Sequence, residues 1–225
     1  MIEAVNLSLS YRDGTLALKD VNLKVNSGEL VYIVGPSGSG KTSLLKLFMG
    51  IEYPTFGSLS VLNQPIKKGE SGKIRRMRRE IGPVFQEFKL IEGRTALENV
   101  MMGIRFLGIP SKQMKEDASN ALERVGLAHK ALSKVENLSF GQCQRVAIAR
   151  AIARKPSLIL ADEPTGNLDH ENALNILELL TSFKEKDTAV IITTHATHLI
   201  QNERDVTFIH VEEGNISIER RGELK

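Results

Sequence analysis

Apolar and polar positions change period along the chain, and each change predicts a different kind of element. In the first thirty residues apolar side chains alternate with polar ones, as in half-buried strands. Val5, Leu7 and Leu9 define one face, and Val21, Leu23 and Val25 define the face of a second strand. Turns at Arg12-Asp13-Gly14 and Asn26-Ser27-Gly28-Glu29 bound these runs, so an antiparallel sheet is expected ahead of the core. Continuous apolar runs then appear at Leu30-Val31-Tyr32-Ile33-Val34, Leu158-Ile159-Leu160-Ala161 and Ala189-Val190-Ile191-Ile192, the pattern of parallel strands buried on both faces. Beyond Gln86 the period is helical. Thr95-Ala96-Leu97-Glu98 has the spacing of a capping box, Ser111 opens a helix through Met114, Ala118, Ala121, Leu122 and Val125, and another runs from about Gln142 to Ala153. The alternation of strands and helices predicts an α/β fold, and 225 residues suffice for one sizeable core.

Two segments add chemistry to this pattern. Gly35-Pro36-Ser37-Gly38-Ser39-Gly40-Lys41-Thr42 fits the phosphate-loop spacing and lies between the apolar strand ending at Val34 and a helix expected over residues 42–48. Glycines let successive backbone N–H groups turn inward on an anion, and the helix start adds its positive dipole end. Lys41 is then placed to reach the β- and γ-phosphates, with the Thr42 hydroxyl on Mg²⁺ and Ser43 beside it. The second segment is Leu158 to Asp169, where an apolar strand runs directly into Asp162 and Glu163. The carboxyl ends of buried parallel strands are where α/β proteins hold ligands, and two carboxylates there call for a cation or a reacting water.

Composition narrows the setting without identifying the chemistry. A single cysteine, Cys143, excludes an internal disulfide framework and suits a reducing compartment. The first residues lack a charged-then-apolar signal layout, and no apolar run approaches the roughly 18 residues of a spanning helix. With 30 basic and 27 acidic residues the net charge of +3 does not imply nucleic acid as a partner. Lys67, Lys68, Lys73, Arg75, Arg76, Arg78 and Arg79 cluster as on a solvated helix face, with a contact to lipid headgroups or a partner as the alternative, and no interleaved aromatics support nucleic-acid stacking.

Leu138-Ser139-Phe140-Gly141-Gln142 is not demanded by a phosphate loop, and it closely resembles the signature of ABC ATPases. Tyr11, Gln86, Asp169 and His195 fall where that family has its adenine-stacking aromatic, Q-loop glutamine, D-loop aspartate and switch histidine. The resemblance covers essentially the whole chain. It implies a P-loop NTPase fold with a RecA-like core, an antiparallel β subdomain and an α-helical subdomain. The core and β subdomain would take about residues 1–87 and 154–225, and the helical subdomain about 88–153. It also implies ATP and Mg²⁺ as ligands. Lys41, Thr42 and an Asp162-supported Mg²⁺ would neutralise phosphoryl charge, Glu163 would act as general base, Gln86 would sense metal and water, and His195 would hold the γ-phosphate. Ser139, Gly141 and Gln142 would act on ATP held by a second copy, with Asp169 at the seam of a head-to-tail dimer.

Within the family, the run from Ala161 to Asp169 resembles the branch of lipoprotein-release, macrolide-export and cell-division ATPases. The segment Arg79 to Leu90, with Arg94-Thr95 and Glu98-Asn99-Val100, is most similar to the FtsE type. That resemblance implies an integral membrane partner of the FtsX type and residence on the cytoplasmic face of the inner membrane. A partner groove is expected near residues 86–95, with Phe88 and Leu90 as candidate apolar contacts or as core. Two other classes are a cytosolic, non-transport ABC ATPase, disfavoured by the absence of a second cassette or a coiled-coil insertion, and a regulatory module that binds ATP without turnover, which Glu163 and His195 argue against. Phe140 departs from the signature, where glycine is usual, and is expected to bring a side chain to where the backbone approaches the opposite ATP. Cys143, and Ala196 after the switch histidine, depart more mildly.

Overall fold

The computed structural model describes residues 1–222. Strands β1 (Ile2–Ser10), β2 (Leu16–Val25) and β3 (Leu30–Val34) lead to helix α1 (Lys41–Phe48). β4 (Phe56–Val61), β5 (Gln64–Pro65), α2 (Ser71–Met77) and β6 (Ile81–Val84) follow. Next come α3 (Ala96–Ile104), α4 (Ser111–Arg124), α5 (Phe140–Ile152), β7 (Leu158–Asp162) and α6 (His170–Thr181). β8 (Ala189–Thr194), β9 (Val206–Glu212) and β10 (Asn215–Arg221) complete the order. The chain divides into two compact units, one of residues 1–78 with the chain from Lys184 onward, the other Arg79–Phe183.

The first unit holds two sets of strands. β1 pairs antiparallel with β2 on one side and β4 on the other, and β5 pairs with β4. The alternation read from the sequence is broken here. Ile2 and Ala4 are buried, Val5 is 46% exposed, and Leu7 and Leu9 are buried again. The cause is a bulge: the register passes from Ala4↔Leu23 to Leu7↔Val21, with Asn6 at φ 48, and one extra residue moves every following side chain to the other face. Val5 is therefore not on the face of Leu7 and Leu9. Val21, Leu23 and Val25 do share a buried face. The second set is the parallel core: β3 lies between β8 and β9, with β10 antiparallel on β9. All five residues of β3 and all six of β8 are buried, as continuous apolar runs require. The basic stretch is solvated: α2 buries Ile74 and Met77, and Glu70 pairs with Lys67 and Lys73, each at 3.5 Å.

In the second unit β6 and β7 run parallel in the register Val84↔Ala161, and α3, α4, α5 and α6 belong to the same unit. The capping box expected at Thr95 forms, and a second one is present at Ser139. Thr95 accepts from the Glu98 N–H while Glu98 accepts from the Thr95 N–H, and Ser139 and Gln142 do the same at α5. α5 thus starts at Phe140, two residues before its apolar periodicity begins, because the cap and not the apolar face sets the first turn. Buried Asn99 ties the loop before α3 to that helix, accepting from the Ile91 N–H at 2.7 Å and donating to the Ile91 and Thr95 carbonyls at 3.1 Å. No helix among the described residues is long and apolar enough to cross a membrane.

Candidate functional site

Within the first unit the phosphate loop leaves the carboxyl end of β3 at Gly35 and enters α1 at Lys41. Glycine at its two ends is required sterically. A Cβ on Gly35, at φ 154, would lie 2.1 Å from the Val211 carbonyl oxygen, and one on Gly40, at φ 116, would lie 2.6 Å from that of Ala17. Lys41 is buried, and its Nζ donates to the Gly35 and Pro36 carbonyls at 2.9 Å each, so its stem is already inside the loop. The Ser39 hydroxyl is buried without a hydrogen-bond partner. An orphaned donor among backbone N–H groups at a helix start, with a buried ammonium, suits a phosphate chain. Thr42, Ser37 and Gly38 are exposed. Tyr11 is half-buried and its hydroxyl is 2.9 Å from Ser43 Oγ, which fixes the ring relative to α1. Val34 pairs with Thr194, so Gly35 and His195 leave the ends of adjacent parallel strands. Among the expected residues of this unit, the fold brings Tyr11, the phosphate loop, Ser43 and His195 to one end of it.

Within the second unit the same logic operates on β6 and β7. Because Val84 pairs with Ala161, the chain that leaves β6 toward Gln86 starts beside the end of β7, where Asp162 is the last strand residue and Glu163 follows it. The two carboxylates are half-buried, and Glu163 is held at φ 46, a left-handed conformation that costs a non-glycine residue about 1–2 kcal/mol. Such strain persists where surroundings over-determine it, and it concentrates at functional sites. The Gln86 amide reaches the same loop: a methyl added at Gly166 would lie 3.6 Å from Gln86 Nε2. Among the described residues no cluster of three or more His, Cys, Asp or Glu forms a metal cage. Mg²⁺ does not need one, since it is usually held by one or two carboxylates, waters and substrate phosphates.

The signature lies at the start of α5 in this second unit. Ser139 is the N-cap, Gln142 closes the box, and Phe140 and Gly141 form the first turn. Asp169 caps α6, accepting from the Asn172 N–H at 2.9 Å and the Asn172 Nδ2 at 2.6 Å, and these bonds hold its carboxyl below the usual range. A Cβ at Gly141 would meet only Asn172 Oδ1 and Leu168 Cδ2, both at 3.9 Å, so the signature glycine and the Asp169 loop are neighbours. The Phe140 ring packs edge-to-face on Phe88, with centroids 4.5 Å apart, in its own chain.

Comparison with known proteins follows the same outline. The profile of the ABC transporter family matches residues 18–166, from β2 through the phosphate loop, the signature and both carboxylates. The chain belongs to the ABC transporter family. Its relatives include the cell-division ATP-binding protein FtsE of Mycobacterium tuberculosis, 39% identical over 205 residues that cover 91% of this chain and 89% of FtsE. The lipoprotein-releasing ATP-binding protein LolD of Hydrogenovibrio crunogenus is 42% identical over 200 residues, 87% of each chain. The dimeric ATP-binding cassette MJ0796, in a post-hydrolysis state with ADP and Pi, superposes over 100% of both chains with a TM-score of 0.88 at 34% identity. This ABC chain is an ATP-binding ATPase with the P-loop α/β fold that its sequence predicts.

Three features escaped the sequence pattern of this ABC ATPase. Phe88 and Lys89 are consecutive non-glycine residues in the left-handed region, at φ 43 and φ 51, and no turn residue announces them. Arg150, which reads as the polar side of α5, donates to both of their carbonyls. Phe88, expected as core or as a groove contact, is half-buried with its ring on Phe140, and a pocket of about 420 Å³ nearby in sequence is lined by Ile91, Arg94, Met101, Met102, Arg105 and Met114 with their neighbours.

Proposed function

We propose that this ABC ATPase works as a pair with a second copy and drives a conformational change in an integral membrane partner on the cytoplasmic face of the inner membrane. The proposed system is the FtsE–FtsX type that controls cell-wall hydrolysis. The observation that carries the pairing is Gly141. Glycine lowers helix propensity relative to alanine, by about 0.5–1 kcal/mol in a helix interior, yet a Cβ at Gly141 would meet nothing closer than 3.9 Å. Nothing among the described residues requires glycine at that position, and in this reading its use lies outside the chain, where backbone approaches the ATP of a second copy. The dimeric state of MJ0796 supports that arrangement.

In this reading Gly35 to Thr42 and Ser43 bind the phosphates, Tyr11 stacks on adenine, and Lys41 neutralises charge on the β- and γ-oxygens. Thr42, Gln86 and Asp162 hold Mg²⁺, which supplies further charge neutralisation when bound. Glu163 takes the proton of the attacking water, Gln86 orients that water, and His195 donates to the γ-phosphate. Ser139, Gly141 and Gln142 complete the partner's site and Asp169 lies at the seam. The groove lined by Ile91, Arg94, Met101, Met102, Arg105 and Met114 receives the cytoplasmic segment of the membrane protein. Residues 88–153 act as the signature-bearing subdomain, and the rest of the chain as nucleotide-binding core.

Glu87 after Gln86, and Arg94-Thr95, where Arg94 pairs with Glu98 at 3.1 Å, favour the FtsE type. The LolD relative supports lipoprotein release as the second reading. Identifying the membrane protein that co-purifies with the chain separates the two. Glu163→Gln is expected to keep ATP binding, trap a dimer with ATP and lower turnover by about a hundredfold or more. A variant that stays monomeric with ATP at high protein concentration sinks the composite site.

A further inference from the structure

The segment that follows Gln86 is strained and is held by one helix. Phe88 and Lys89, both left-handed, cost together about 2–4 kcal/mol. Two holders on α5 offset that cost. The Arg150 guanidinium donates through Nη2 to the Phe88 carbonyl and through Nη1 to the Lys89 carbonyl, the latter at 2.5 Å. The Phe140 ring meets the Phe88 ring at an interplanar angle of 63°, the favourable edge-to-face geometry. Arg150 lies ten residues beyond Phe140, about 15 Å along the helix, so the turn is gripped at two separated points. The grip depends on close packing of α3, because a Cβ on Gly103 would lie 2.6 Å from Arg150 Cγ. Phe140 is also the first residue after the Ser139 cap, so the ring that holds the Gln86 segment is rooted in the signature turn.

We propose that Phe140 is a positioning residue for hydrolysis: its ring straps Phe88 and so fixes where the Gln86 amide stands relative to the Glu163 loop. Glycine at position 140 would leave Phe88 held through its backbone alone, by Arg150 on its carbonyl and by its own N–H on the Phe85 carbonyl at 3.1 Å. The substitution that departs from the signature thus works inside its own chain, and its consequence falls on the chemical step and not on nucleotide affinity. A ring pair that only adds stability would change the melting temperature and leave the rate per folded molecule untouched.

The inference rests on the role of Gln86 proposed above, and the test separates the two. Steady-state ATPase, nucleotide affinity and Tm are measured for Phe140→Leu, Phe88→Leu, the double variant, Phe140→Tyr and Gln86→Ala. Each leucine variant is expected to lower kcat about fivefold to tenfold with ATP affinity unchanged. The double variant should be no slower than the slower single one, and Phe140→Tyr should retain the rate. An unchanged kcat in Phe140→Leu, additive losses in the double variant, or an effect confined to Tm overturns the strap. So does loss of ATP-dependent dimerisation when Phe140→Leu is placed in the Glu163→Gln background, which assigns Phe140 to the seam. If Gln86→Ala leaves turnover intact, the Gln86 role fails, while additivity of the ring variants still reports whether Phe88 and Phe140 act together.

Discussion

The phosphate-loop unit and the signature unit use glycine for opposite reasons. At Gly35 the fold excludes a side chain, because the Val211 carbonyl occupies its place at 2.1 Å. At Gly141 the fold has room for one. The first glycine builds an anion cradle out of backbone, so its geometry is fixed before any ligand arrives. The second leaves a surface bare, and that has value only to something approaching from outside. Strain at the two candidate sites is distributed in the same way: the phosphate loop places its left-handed conformations on Gly35, Gly38 and Gly40, whereas the loops that leave β6 and β7 place theirs on Phe88, Lys89 and Glu163, which need neighbours to hold them. One half of the machinery is built of backbone, the other of side chains held by side chains.

That contrast can be broken by experiment. Gly35→Ala should have the largest effect, a loss of more than about 3 kcal/mol of stability by chemical denaturation, since a rigid carbonyl must move. A variant that melts within a few degrees of the parent would show that the loop is softer than its contacts indicate. Gly141→Ala should do the reverse for the isolated chain, raising stability by up to about 1 kcal/mol through helix propensity. It should nevertheless weaken ATP-dependent dimerisation by about tenfold or more in the Glu163→Gln background. Equal dimerisation would remove the external role of that glycine. The smallest effect concerns the cap of α3. The Thr95 N–H first, then the Arg94 side chain, hold the Glu98 carboxyl below its ordinary range. Its contribution is therefore present above the unfolded-state pKa and is lost as pH falls through the lower folded value. The Tm difference between the parent and Glu98→Gln should be seen at neutral pH and shrink below about pH 4. A difference that persists into acid would assign the cap to geometry alone.

Local chemistry made several parts of the molecule legible in advance. The Gly35 to Thr42 spacing, the run of Leu158 to Ala161 into two carboxylates, and the Thr95–Glu98 capping box each depend on residues a few positions apart, so each can be read without the rest of the chain. Continuous apolar runs marked β3, β7 and β8 as buried on both faces because their own composition leaves no solvated side. Other elements gave weaker signals. β6 has Gly82 and Pro83 at its centre, and β9 and β10 form a C-terminal hairpin whose outer strand is mostly exposed. They are strands because neighbours supply their hydrogen bonds, which propensity does not record.

The amino-acid sequence by itself determined the class of chemistry, since phosphate binding and water activation are specified by residue types at fixed short spacings. It also determined the positions of the buried strands β3, β7 and β8 and of the helix capped at Thr95. The tertiary structure decided which face Val5 takes, because a bulge at Asn6 is a property of the paired strands and not of either one. It also decided that Phe140 meets Phe88, 52 positions away, and that Arg150 holds the turn at Phe88 and Lys89. Contacts of that kind arise only when α5 is laid against the segment leaving β6, and no periodicity along the chain encodes them.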